Sequence, residues 1–237
     1  MSSSTAAILY PGDMGTGLGR LLRKHSVRMV TNLEGRSPRS QQLALTAGFE
    51  DLGSDKALLT TADTLISVLV PSASLAIAKR IAACAKTVEH GQLRTESYVD
   101  ANAVSPRTAR QISSFFNDSG ITFVDGSIIG GSPRLKHDDS WYRPTIALSG
   151  PGIRDINLDD IFDVSYVGPE IGQASALKMS FASLTKVETY AGLSILMPIG
   201  IYRHCSSSSG NSPRSWTAPP TDGADRKAQS QCSSSAQ

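Results

Sequence analysis

The sequence predicts an α/β fold: a doubly wound parallel sheet, then one long helix, then a disordered tail. Three observations predict it. Residues 6–36 read as strand, tight glycine turn, helix and strand. Apolar runs then alternate with helix-forming stretches as far as about residue 150, the pattern of strands joined by covering helices. Past residue 205 the chain is mostly Ser, Pro, Gly and charged residues, too poor in aliphatic side chains to offset the entropy of ordering.

The elements follow in order. Residues 6–10 form a short apolar run that leads into Pro11, Gly12 and Gly15. A helix is expected over 18–25 and a second strand over 27–31. Next come a helix over 40–47 and a strand over 64–70, stopped by Pro71. The Ala-rich stretch 73–84 suits a helix packed on a sheet. A strand over 97–101 precedes Ser105-Pro106, a cap and first-turn pair for a helix over 106–118. Strands are expected over 121–125 and 145–148. From Gly168 the pattern changes: residues 172–191 form a long stretch of small, helix-forming side chains, ending near Gly192 with Pro198 shortly after. This divides the chain into a Rossmann-like domain over 5–166, a linker and helix over 167–197, and a low-complexity tail over 198–237.

Composition narrows the function. The 237 residues carry a formal net charge of +2, which argues against a nucleic-acid footprint. No apolar run approaches the length needed to span a membrane, and MSSSTAA lacks the basic-then-apolar pattern of a secretory signal. Three scattered cysteines, Cys84, Cys205 and Cys232, suit a reducing compartment and show no metal-ligand spacing. A cytoplasmic protein with no metal, nucleic-acid or membrane partner is expected.

The glycine turn carries the chemistry. A strand feeding a glycine turn and a helix places unpaired backbone N–H groups and a positive dipole end where a pyrophosphate can sit. The usual spacing is G-x-G-x-x-G; Gly12 and Gly15 fill its second and third places, and Tyr10 stands in the first. An ordinary glycine-rich turn before a helix would read the same way. Cofactor choice rests on the segment after the second strand, where Arg36 and Ser37 suit the 2′-phosphate of NADP and Glu34 would oppose it if turned inward. NADP is therefore expected over NAD.

Four segments now stand in order: YPGDMG (10–15), VDANAVSPRTAR (99–110), FVDGSIIGGSP (123–133) and GPEIGQASALK (168–178). Together they make the chain similar to the β-hydroxyacid dehydrogenases, the family of 6-phosphogluconate and 3-hydroxyisobutyrate dehydrogenase. The resemblance covers residues 5–195 and implies oxidation of a small hydroxy acid at its CH–OH group. Lys178 then stands at the position of the family's general acid/base, where a desolvated lysine has its pKa lowered toward neutrality; a lysine on a solvated helix face is the alternative. The resemblance also implies cofactor contacts at Gly12, Asp13, Met14, Gly15, Asn32, Arg36, Ser37 and Pro71. It implies a substrate shelf at Asn102, Gly130 and Gly131. The paired glycines can equally be a turn that needs their geometry, and Asn102 can hold a substrate or cap the Ser105-Pro106 turn.

Departures from the family mark a divergent branch. Asn102-Ala103 replaces its Ser-Thr pair, Ile129 its serine before the double glycine, and Phe181 its asparagine one helical turn after the lysine. Asp125 is expected to be structural, and Trp141 and Tyr142 to pack in a loop. In the family a large helical domain follows the lysine helix. Here the low-complexity tail takes its place, which predicts either a truncated gene product or a short cofactor-binding protein that no longer catalyses. An interaction protein working through its helix and tail is the third reading. Loss of cover from the 172–191 helix predicts either association, as a homodimer through that helix, or poor solubility.

Overall fold

A computed structural model of the chain describes residues 4–199 apart from 90, 152–157 and 159, with side chains in the last helix described as far as residue 186. The tail expected over 198–237 therefore lies almost wholly outside the described residues, as do Cys205 and Cys232. The chain divides into two units, Met1–Ala191 and Gly192–Gln237. The sheet belongs to the first.

That unit alternates strands and helices: β1 (Thr5–Leu9), α1 (Asp13–Lys24), β2 (Arg28–Thr31), α2 (Pro38–Thr46), β3 (Glu50–Asp51), α3 (Asp55–Thr61), β4 (Thr64–Ser67), α4 (Pro71–Ala85), β5 (Ser97–Asp100), α5 (Pro106–Phe115) and β6 (Thr122–Ile129). A small hairpin, β7 (Arg134–Leu135) and β8 (Trp141–Tyr142), precedes β9 (Thr145–Ser149) and β10 (Asp163–Gly168); α6 (Gln173–Ile199) follows. Eight strands form one sheet in the order β3-β2-β1-β4-β5-β6-β9-β10. The pairs from β3 through to β6 are parallel. This is the Rossmann-like doubly wound sheet expected from the sequence.

The strands on both sides of β1 explain the apolar runs. All five residues of β1 and all four of β4 are buried, because helices cover both faces of a parallel sheet. One face packs Ile8, Leu21, Met29 and Val99; the other packs Leu9, Leu65, Ile81 and Tyr98.

Several boundaries differ from expectation. Helix α1 begins at Asp13, five residues before the expected start, so Gly15, Gly17 and Gly19 are helical. Their positions are set by close packing. A Cβ on Gly15 would lie 3.2 Å from Ile8 and Pro11, and one on Gly17 or Gly19 would collide with Ser132 or Phe49. Strand β4 stops at Ser67, and Val68–Val70 leave the sheet. The short helix α3 and strands β3, β7, β8 and β10 were not expected. Strand β9 runs antiparallel to β6, with Asp125 opposite Ser149. Its connection from β6 holds a hairpin and no helix, so no crossover is available to bring the chain back parallel. Helix α6 passes Gly192, a residue that costs a helix interior only about 1 kcal/mol, and reaches Ile199.

Candidate functional site

From β1 the chain winds to β2 and β3 on one side and later to β4, β5 and β6 on the other. The order reverses at β1, and ligands of open α/β sheets sit at such a switch point, beyond the strands' carboxyl ends. A cleft of about 370 Å³ opens there. Tyr10, Gly12, Asp13, Met14 and Gly15 line it from the glycine turn, Arg36 from beyond β2, and Val68, Leu69 and Val70 from beyond β4.

The start of α1 fits an anion. Gly12 is its N-cap and supplies no side chain to cap the first N–H groups, whereas Ser37, Ser54 and Ser105 each cap their helices with a hydroxyl. A Cβ on Gly12 would meet nothing within 4 Å, so the turn leaves open space before free donors. These are the features a pyrophosphate group needs. Asp13 sits in the first turn with its side chain exposed, where it complements the helix dipole.

Tyr10 departs from the glycine rule at a cost. Its φ is +50°, the left-handed region, where a side chain is disfavoured by roughly 1–2 kcal/mol. Two guanidinium groups lie over its ring, Arg36 at 4.8 Å and Arg80 at 5.4 Å from the ring centroid. Arg80 donates to the Tyr10 hydroxyl and pairs with Asp55 at 2.7 Å.

The other residues expected at the cofactor are placed as follows. The Asn32 amide donates to Asp55 at 2.9 Å and its oxygen accepts from Glu34 N–H, so it shapes the turn after β2. Ser37 caps α2, accepting from Ser40 N–H at 3.3 Å, so its hydroxyl is already engaged. Pro71 is the first residue of α4, beside Val70 in the cleft wall.

The second half of the site gathers at the end of β6. Asp125 is fully buried and accepts four hydrogen bonds: from Ser149 Oγ at 2.9 Å, Gly172 N–H at 2.9 Å, Ser175 N–H at 3.1 Å and Ser175 Oγ at 2.6 Å. It thus caps α6 from the neighbouring strand, the structural part expected of it. One turn along, the half-buried Lys178 ammonium donates to the Ile128 carbonyl, two residues before Gly130. Burial pushes its pKa below the usual lysine range.

The residues expected to form the substrate shelf are engaged within the protein. Asn102 is buried, with its oxygen accepting from Leu69 N–H and its amide donating to Ser67 and Asp100. It ties the ends of β4 and β5 together and does not cap the Ser105-Pro106 turn. Ser105 caps α5 itself, accepting from Thr108 N–H at 3.1 Å. Gly130 adopts φ +120° and Gly131 N–H donates to the Tyr142 hydroxyl at 3.1 Å, so the paired glycines form a turn closed by Tyr142. Trp141 and Tyr142 form β8 and do not lie in a loop.

The two halves touch. Ser132, just past the paired glycines, donates to the Asp13 carbonyl at 2.9 Å, and the missing Cβ of Gly17 makes room for it. Nothing in the sequence pointed to the parts Ser132 and Arg80 play, nor to the contact that Tyr142 makes with the paired glycines. Their roles depend on contacts between residues as far as 119 positions apart, which no local pattern reports.

A glycine turn, an uncapped helix and a cleft at the switch point are together the features of a dinucleotide-binding α/β fold. No established protein-family profile matches the chain. It is 28% identical over 177 residues to an uncharacterized 28.5 kDa protein of Methanothermus fervidus, spanning 74% of this chain and 62% of that one. Thus the chain spans under two thirds of that relative's length. Among solved structures, a conserved protein of unknown function, described as structurally similar to 3-hydroxyacid dehydrogenases, matches with a TM-score of 0.63 and 28% identity, covering 83% of this chain and 71% of its own. An imine reductase from Myxococcus stipitatus, solved with NAD+, matches with a TM-score of 0.65 and 19% identity over 86% of this chain and 68% of its own. The fold is also shared with 3-hydroxyisobutyrate dehydrogenases. It is the fold of the NAD(P)-binding domain of the β-hydroxyacid dehydrogenase family.

Proposed function

We propose that the chain is an NAD(P)-dependent oxidoreductase acting on the CH–OH group of a small hydroxy acid, with NADP preferred over NAD. The observation that carries this reading is the meeting of two features: the uncapped start of α1, opening on the cleft, and the loop beside Lys178 that bonds to that same turn. A bound nicotinamide dinucleotide supplies the hydride acceptor. The chain supplies the rest. The N–H groups after Gly12 hold phosphate, and Arg36 at the cleft wall favours a further phosphate on the ribose. Lys178, its pKa lowered by burial, takes the hydroxyl proton on oxidation and returns it on reduction. The same reading gives the chain a cytoplasmic setting, a small-molecule substrate and, through the exposed face of α6, a second copy of itself as partner.

One observation favours a rival. Asn102 spends its whole amide inside the protein, which leaves the expected shelf short of polar groups and suits a cofactor-binding module without catalysis. Thermal melting with NADPH, with NADH and with neither tests both readings. A ligand that binds only the folded state adds about 2.7 kcal/mol at 100 times its Kd. A shift with NADPH supports the cofactor site; no shift with either cofactor ends both readings. Where a shift is found, Lys178→Ala should leave it intact and abolish turnover of hydroxy acids if the chain is an enzyme.

A further inference from the structure

We propose that Tyr10 is a specificity-determining residue, a post that holds Arg36 at the mouth of the cleft and so favours a dinucleotide bearing a 2′-phosphate. The inference rests on the cleft being a dinucleotide site.

Tyr10 occupies a left-handed turn position that glycine would take without strain. Strain of this kind persists where surrounding contacts hold it. Two cations stack on the ring, and they differ. Arg80 has its charge met by Asp55, and Asp55 also holds Asn32. Its bond to the Tyr10 hydroxyl therefore anchors the ring to α3, α4 and the turn after β2. Arg36 stacks on the Tyr10 ring and, among the described residues, has no carboxylate within ion-pair distance. Its guanidinium lines the same cleft as Gly12 and Gly15. An oriented, uncompensated guanidinium is suited to bidentate pairing with a phosphate, and an aromatic face fixes its plane. Tyr10 also packs against the core cluster that holds Leu9 and Leu65, so the test must separate packing from stacking.

The experiment titrates NADPH and NADH into the full chain and into Tyr10→Phe, Tyr10→Leu and Tyr10→Gly, with circular dichroism and melting recorded for each. The wild-type chain should bind NADPH more tightly than NADH. Tyr10→Phe keeps the aromatic face and should keep the preference. Tyr10→Leu keeps apolar packing, and Tyr10→Gly relieves the turn; each should cut the preference for NADPH over NADH by about fivefold, the size expected of a partly exposed cation–π contact. Binding of both cofactors with equal affinity, a preference for NADH, or a preference that survives in Tyr10→Leu would overturn the role of Tyr10 while leaving the cofactor site standing. Wild-type chain that binds neither removes the site, and this inference with it.

Discussion

Lys178 and Asp100 are the two residues whose charge the fold perturbs most usefully for experiment. Lys178 is half-buried and its only acceptor among the described residues is a backbone carbonyl, so its neutral amine forms at a lower pH than that of an exposed lysine. At about pH 8, where ordinary lysines are almost wholly charged, a limiting dose of an amine-acylating reagent should label Lys178 ahead of the exposed Lys24 and Lys86, as read by peptide mass spectrometry. Equal or slower labelling would show that desolvation does not activate it. Asp100 is buried at the end of β5, and burial pushes its pKa up to about 6; two hydrogen bonds from Asn102 oppose the shift and the facing Asp125 adds to it. The folded protein therefore holds a proton that the unfolded chain releases between about pH 4 and pH 6, so stability falls as pH rises through that window. One Asp100 oxygen also has no hydrogen-bond partner among the described residues. Asp100→Asn removes the charge. Its stability relative to wild type should rise by on the order of 2 kcal/mol between about pH 4 and pH 7, in denaturant unfolding at both values. A difference that does not change with pH would refute the assignment.

Among the elements, α6 depends most on a single side chain. Asp125 reaches from β6 to accept the first N–H groups of the helix, and Ser149 on β9 joins it by donating to Asp125 and accepting from Ala174 N–H at 3.0 Å. Asp125→Ala would leave these buried donors unpaired. A cost on the order of 3 kcal/mol is expected, with faster amide hydrogen exchange at the start of α6 than in β1 and β4. Uniform exchange through all three would sink the idea that Asp125 anchors this helix alone. Local pattern made β1, β2, β4 and the Ser105-capped α5 readable, because buried parallel strands and hydroxyl caps write themselves into a few adjacent residues. It misplaced α1 because glycines normally break helices, and here they are demanded by Ile8, Phe49 and Ser132, side chains brought in from elsewhere. In the candidate site, spacing placed Gly12 at the start of α1, and the family resemblance singled out Lys178, which is half-buried beside the Ile128 carbonyl. The hydrogen-bond partners of Asn102 were not legible, because Ser67 and Leu69 stand more than 30 positions away.

At the scale of the whole molecule, the exposed apolar side chains of α6 bear on the proposed pairing of two copies. Leu177, Phe181 and Leu184 are 41%, 48% and 63% exposed and recur at helical spacing, so they form one apolar stripe on the Met1–Ala191 unit. Just before the helix, Tyr166 and Val167 on β10 are exposed as well. Apolar side chains scattered singly over a surface need no explanation, but a contiguous stripe marks a contact. A helix stripe can cover an identical stripe on a second copy about a twofold axis, the commonest arrangement for two like chains. Sedimentation velocity of the full chain should therefore show a dimer that dissociates on dilution. Replacing Phe181 and Leu184 together by Glu should give a monomer at every concentration. Since neither side chain packs in the core, the variant should keep the NADPH-dependent melting shift of the wild-type chain. A wild-type chain that stays monomeric at its highest soluble concentration would show that this stripe pairs with no second copy. A double variant that still dimerises would place the interface elsewhere on the fold.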